Sequence, residues 1–138
     1  MSNKEYRNTT EEMNYFGSDY NKFLNSECSK EMTVNNIDVI QYKRSKKILR
    51  IVESKHDKEK MKPSQEEVLK LLAVVFKWLN NLPSKHKFEI FIITGNYPYN
   101  NVYIRDLISG ITYLCKDRER FKKFSEFNLS ITDLVDTS

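Results

Sequence analysis

The chain has 138 residues, of which 39% are hydrophobic and 30% charged, with only three Gly and three Pro. This length and composition exclude a disordered or fibrous protein and predict one globular domain, spanning 1–138 with a core over about 10–124. The net charge of +4 favours polyanionic partners without requiring them.

Cys28 and Cys115 are the two cysteines, far apart and outside any CxxC or His-flanked pattern. That excludes a structural zinc site and a disulfide scaffold, and predicts reduced thiols in a cytoplasmic protein. Residues 1–15 are polar and lack the apolar segment of a signal peptide. The longest apolar run, Leu71 to Phe76, falls far short of the roughly 20 residues that span a bilayer, so no membrane association is expected.

Thr9-Thr10-Glu11-Glu12 has capping-box spacing and predicts a helix from about Thr10 to Ser26, carrying Met13, Phe16, Tyr20, Phe23 and Leu24. A loop follows to Asn36. Ile37 to Lys43 and Ile48 to Ser54 are rich in β-branched residues and are separated by Arg44-Ser45-Lys46-Lys47, which predicts an antiparallel hairpin.

With Lys43 opposite Ile48, counting places Tyr42 opposite Leu49, Ile40 opposite Ile51 and Asp38 opposite Glu53. The two carboxylates would then have Cβ atoms about 4.5–5.5 Å apart, with Lys55 on the same face as Glu53. Carboxylates that close repel unless a cation or proton lies between them.

Pro63-Ser64-Gln65-Glu66-Glu67 predicts a helix from Ser64 to about Asn81, capped by Ser64 and Glu67. Val68, Leu71, Leu72, Val75 and Leu79, widened by Phe76 and Trp78, form its sheet-facing stripe. Phe88 to Thr94, apolar on both faces except at Glu89 and Thr94, predicts a covered central strand parallel to Ile48 to Ser54 through a right-handed crossover. A turn-rich loop over 95–100 leads to a short fourth strand at Val102 to Ile104. Thr112 is predicted to cap a last helix holding Leu114, Arg118, Phe121 and Phe124, with a basic surface from Lys116 to Lys123. Residues 125–138 read as a loosely held tail. The expected class is α/β, with a mixed sheet of about four strands flanked by helices.

Glu-x-Lys is common in a chain with 23 Lys and Arg and 19 acids. Here, however, the Glu ends an apolar strand, where an unpaired charge costs several kcal/mol. The competing reading of Asp38, Glu53 and Lys55 is a structural salt-bridge cluster. Gln65 lies in the first helical turn, within reach of the same site, and reads equally well as a plain polar residue of that turn. His56 falls on the opposite face from Lys55, and His86 lies in a Lys-rich turn.

Asp38, the fifteen-residue gap and Glu53-Ser54-Lys55 resemble the core motif of the PD-(D/E)xK nucleases, the restriction-endonuclease-like superfamily. Val52-Glu53-Ser54-Lys55 followed by Pro63-Ser64-Gln65 is similar to the virus-type replication-repair nuclease branch and to small resolvase-like members. The resemblance covers about residues 35–94. It departs from the motif at Ile37, which stands where the family has proline, and no Gly precedes it.

The resemblance implies a restriction-endonuclease-like core and metal-dependent hydrolysis of DNA phosphodiesters, structure-selective or weakly sequence-specific. It implies that Asp38, Glu53 and the Ser54 carbonyl bind Mg²⁺ or Mn²⁺, hard ions suited to oxygen ligands, and that Lys55 and Gln65 join them in catalysis. Glu12 is the candidate acid from the first helix, with its capping-box role beside Thr9 as the competing and favoured reading. Lys43, Arg44, Lys46 and Lys47 at the hairpin tip are candidate DNA contacts, a homodimer is compatible with the size, and nothing calls for a nucleotide cofactor. The alternative is a non-catalytic nucleic-acid-binding or protein-inhibiting module on the same scaffold.

Overall fold

The computed structural model describes residues 18–28, 37–56 and 59–136. The chain divides into two units, Met1–Asn36 and Ile37–Ser138. In the first, helix α1 spans Ser18–Glu27, with Asp19 in its first turn. Tyr20 and Phe23, three residues apart on one helical side, stack with centroids 6.4 Å apart. The start expected near Thr10, its capping box and Glu12 lie outside the described residues.

The second unit is α/β. Its mixed sheet has six strands in the order β1-β2-β3-β4-β5-β6. They span Val39–Lys43, Ile48–Lys55, Lys87–Gly95, Val102–Asp106, Thr112–Cys115 and Val135–Asp136, two more than expected. Helix α2, Pro63–Asn80, connects β2 to β3, and α3, Arg118–Ser125, follows β5.

The hairpin register is the one counted from the sequence: Lys43 pairs with Ile48, Tyr42 with Leu49 and Ile40 with Ile51. Lys47 takes a left-handed conformation, φ 56°, to close the turn. The α2 crossover makes β2 and β3 parallel, with Glu53 beside Ile92 and Lys55 beside Thr94. All other neighbouring pairs are antiparallel.

β3 is buried on both faces because a helix covers each. Ile90 and Ile92 pack with Ile51 against Leu69, Ala73 and Phe76 of α2. Phe91, one residue out of phase, joins Val102, Ile104, Tyr113, Cys115 and Phe124 of α3. On this second face Arg50 is 2% exposed. Its guanidinium lies 4.2 Å and 3.9 Å from the ring centroids of Phe124 and Phe127, and it forms an ion pair with Glu89 at 3.1 Å. Burial pulls the Arg50 pKa below its ordinary value, against the opposing pull of Glu89.

Four expectations are corrected. Helix α2 begins at Pro63 with Lys62 as N-cap and no side-chain cap, because proline's fixed φ and missing N–H suit the first helical position; Ser64 is inside the first turn. The core face of α2 is Leu69, Ala73 and Phe76, with Leu72 and Leu79 beside it, while Leu71, Val74, Val75 and Trp78 are exposed. Ile111 to Cys115 also satisfies period-2 alternation, and strand pairing wins: Thr112 opens β5, and Asp117 caps α3 by accepting from the Glu119 amide at 2.9 Å.

The C-terminal stretch is also anchored. Ser130 and Asp133 form a capping box around a 3₁₀ turn over Ile131–Asp133, Ile131 and Leu134 enter the core, and β6 pairs with β5. Cys28 and Cys115 are free thiols. Burial pushes the Cys115 thiol pKa up. No helix among the described residues is long and apolar enough to cross a membrane.

Candidate active site at the end of strand β2

Glu53, Lys55 and Gln65 converge. Alternation along β2 turns Glu53 and Lys55 to the face covered by α2, and the crossover sets the first turn of α2 beside them. Gln65 Nε2 donates to Glu53 Oε1 at 2.6 Å, and Lys55 Nζ lies 3.3 Å from the same oxygen. Both partners therefore share one oxygen. The other, Glu53 Oε2, is buried with no hydrogen-bond partner among the described residues, and the whole residue is 2% exposed. A buried, unsatisfied carboxylate oxygen costs roughly 1–3 kcal/mol.

Asp38 sits one step beyond the last ladder pair, Val39 with Val52. Instead of turning to Glu53, its Oδ2 accepts from the Ser54 amide at 3.0 Å and the Ser54 hydroxyl at 3.1 Å. The reason is local: once β1 stops at Val39, the Ser54 N–H has no strand carbonyl opposite it, and an exposed carboxylate satisfies it. Asp38 thus reaches the residue between Glu53 and Lys55 from the neighbouring strand.

The same face continues across the sheet. The register aligns Glu53, Ile92, Arg105 and Thr112 in one row, and Lys55, Thr94, Tyr103 and Leu114 in the next. A cleft of about 330 Å³ opens over these rows, lined by Lys55, Met61, Glu66, Thr94, Tyr103 and Arg105 among others. Glu66 ties Arg105 to α2 at 3.1 Å and lies 3.5 Å from Lys70. The hydrogen bond from Arg105, then the charge of Lys70, holds the Glu66 carboxyl below its usual pKa.

Arg105, Tyr103 and Glu66 were not legible as site residues, because only the β3–β4 register brings β4 over the cleft. The one available signal was Arg105 two residues after Tyr103 on a short apolar strand.

The hairpin tip lies elsewhere. Lys43, Arg44, Lys46 and Lys47 are at the start of β2, about 23 Å along the strand from Lys55, and the Lys46 ammonium donates to the Phe127 carbonyl. His56 is exposed, with Nδ1 3.1 Å from the Asn96 side-chain oxygen. His86 stacks on Tyr42 at 6.2 Å.

Glu53 Oε2 lacks a partner among the described residues and is an oxygen of the type that hard divalent ions take, while the Asp38 carboxylate is engaged by Ser54. No group of three or more His, Cys, Asp or Glu side chains positioned for a metal occurs among the described residues. No protein-family model matches the chain, and neither does any curated protein or solved structure compared with it.

Proposed function

We propose that the chain is a metal-dependent endonuclease of the restriction-endonuclease-like kind, hydrolysing DNA phosphodiesters with structure-selective or weakly sequence-specific cutting. The observation that carries this reading is Glu53, an acid buried at a strand end with a cation and an amide on one oxygen and, among the described residues, no hydrogen-bond partner on the other. A cation bound at Glu53 would supply the partner that this second oxygen lacks.

In this reading Asp38 and Glu53 would hold Mg²⁺ or Mn²⁺, and the ion would supply electrophilic stabilisation of phosphoryl oxygens. Gln65 fixes the orientation of the Glu53 carboxylate. Lys55 places its ammonium beside the scissile phosphate, offsetting its charge and orienting the attacking water. Arg105, at the far wall of the cleft, binds a neighbouring phosphate. The contrary reading, a non-catalytic binding module, draws on the closed Glu53–Lys55 pair.

Purified protein incubated with branched, single-stranded and duplex DNA and with RNA, in Mg²⁺ or Mn²⁺ and then in chelator, separates the two. The nuclease reading expects metal-dependent cleavage that Asp38→Ala, Glu53→Ala and Lys55→Ala each abolish. Absence of cleavage of every substrate, with nucleic-acid binding unchanged by the three substitutions, establishes the binding module instead.

A further inference from the structure

The edge of the sheet that carries Lys55 also carries an aromatic arrangement that the cleft chemistry does not use. β2 and β3 end there at Lys55 and Gly95, β4 begins there at Val102, and β5 ends there at Cys115. Gly95 permits the chain to turn back tightly, since a Cβ at that position would lie 3.1 Å from the Asn101 carbonyl. The loop between β3 and β4 then presents Tyr97, 72% exposed.

This ring is held in place. It stands edge-on to Tyr99, with centroids 5.6 Å apart and planes at 80°. The Arg118 guanidinium lies 5.2 Å from its centroid. Tyr99 in turn packs on Phe121 at 5.4 Å, and Phe121 packs against the core of the α3 face. Arginine stays protonated at any working pH, so the neighbouring charge is permanent. On the cleft side of the same edge Tyr103, 48% exposed, lies beside Thr94, whose other neighbour is Lys55.

A ring held by its neighbours yet 72% exposed, with a cation beside it, offers aromatic surface at little entropic cost. The ligand that uses it must supply flat apolar faces at regular spacing together with negative charge. Unpaired nucleotides do so, because every base has a π-face and every linkage a phosphate. Bases within a duplex have both faces covered by their neighbours, so the ring selects unpaired strand.

We propose that Tyr97 with Arg118, and Tyr103 beside the cleft, form a stacking platform for an unpaired nucleic-acid strand. Its role as a substrate guide rests on the nuclease reading of the Glu53 site. Strand enters the cleft from this edge, so substrates with a single-stranded segment are preferred over plain duplex.

The test is fluorescence anisotropy in chelator, which reads binding without cleavage, using labelled oligothymidylate, oligouridylate and a mixed-sequence duplex of equal length. Tyr97→Ala is expected to weaken binding to the single strands about five- to fifty-fold, Tyr97→Phe less than about twofold, and either to change duplex binding less than about twofold. Tyr103→Ala acts in the same direction. Loss confined to one of the two single strands shows that the platform reads that strand's chemistry, sugar 2′ group and base C5 substituent together. Single-strand binding indifferent to both alanine variants, equal loss on duplex, or binding to none of the oligonucleotides overturns the platform. Binding that depends on Tyr97 with no cleavage of any substrate removes the nuclease reading and leaves the platform; Glu53-dependent cleavage with binding indifferent to Tyr97 and Tyr103 does the reverse.

Discussion

Gln65 Nε2 donates to Glu53 Oε1 at 2.6 Å, joining the first turn of α2 to the buried end of β2. The bond holds the carboxylate by Oε1, and Oε2 has no hydrogen-bond partner among the described residues. Groups that orient a metal ligand typically affect affinity or rate by 10- to 100-fold. Gln65→Ala should therefore lower metal-dependent cleavage about 10- to 100-fold while leaving the melting temperature within a few degrees, read by kinetics and thermal circular dichroism on the same preparation.

Lys55 should matter to stability as well as to activity. It is the cationic partner of Glu53, whose side chain is 3% exposed. Without divalent metal, Lys55→Ala leaves that charge uncompensated and should cost about 1–3 kcal/mol. Glu53→Gln removes the charge itself and should cost less. Urea unfolding of the two single variants and the double variant checks this: the double variant should be less destabilised than the sum of the singles.

Arg50 and Glu89 make a stricter case on the opposite face of the sheet, both nearly inaccessible to water. Breaking a buried pair from one side leaves an uncompensated charge and costs about 3–5 kcal/mol. Arg50→Met should therefore unfold in markedly less urea than the wild-type protein, and pairing it with Glu89→Gln should recover part of the loss. Equal midpoints for Arg50→Met and wild type would contradict the packing described around Phe124 and Phe127.

The face that α2 buries can be tested with two leucines two residues apart, about 200° around the helix from each other. Leu69 is 3% exposed and Leu71 62%. Leu69→Ala should cost about 2–5 kcal/mol, and Leu71→Ala should stay within about 0.5 kcal/mol. Equilibrium denaturation distinguishes them directly.

The hairpin and the crossover were legible because their signals agree. A four-residue basic loop fixes the β1–β2 register, and a strand covered on both faces requires a helix between it and its parallel neighbour. From these two elements Glu53, Lys55 and Gln65 follow as neighbours. The face of α2 was not legible, because apolar residues surround that helix: Leu71, Val74, Val75 and Trp78 match helical spacing as well as Leu69, Ala73 and Phe76 do, and only packing decides between the two stripes. Thr112 to Cys115 was misread because Leu114, Arg118 and Phe121 mimic a helical period, while pairing with β4 and β6 is a long-range property that no window contains. The turn of Asp38 onto Ser54 was hidden for a similar reason, since counting residues extends a ladder past the point where the strand ends.

A titration of Mn²⁺ followed by electron paramagnetic resonance, run on the wild-type chain, Glu53→Gln and Asp38→Ala, bears most directly on the proposed site. A saturable Mn²⁺ site is expected in the wild type, weakened at least about tenfold by each substitution. Mn²⁺ binding that is the same in all three proteins, or absent from all three, would contradict the proposed site.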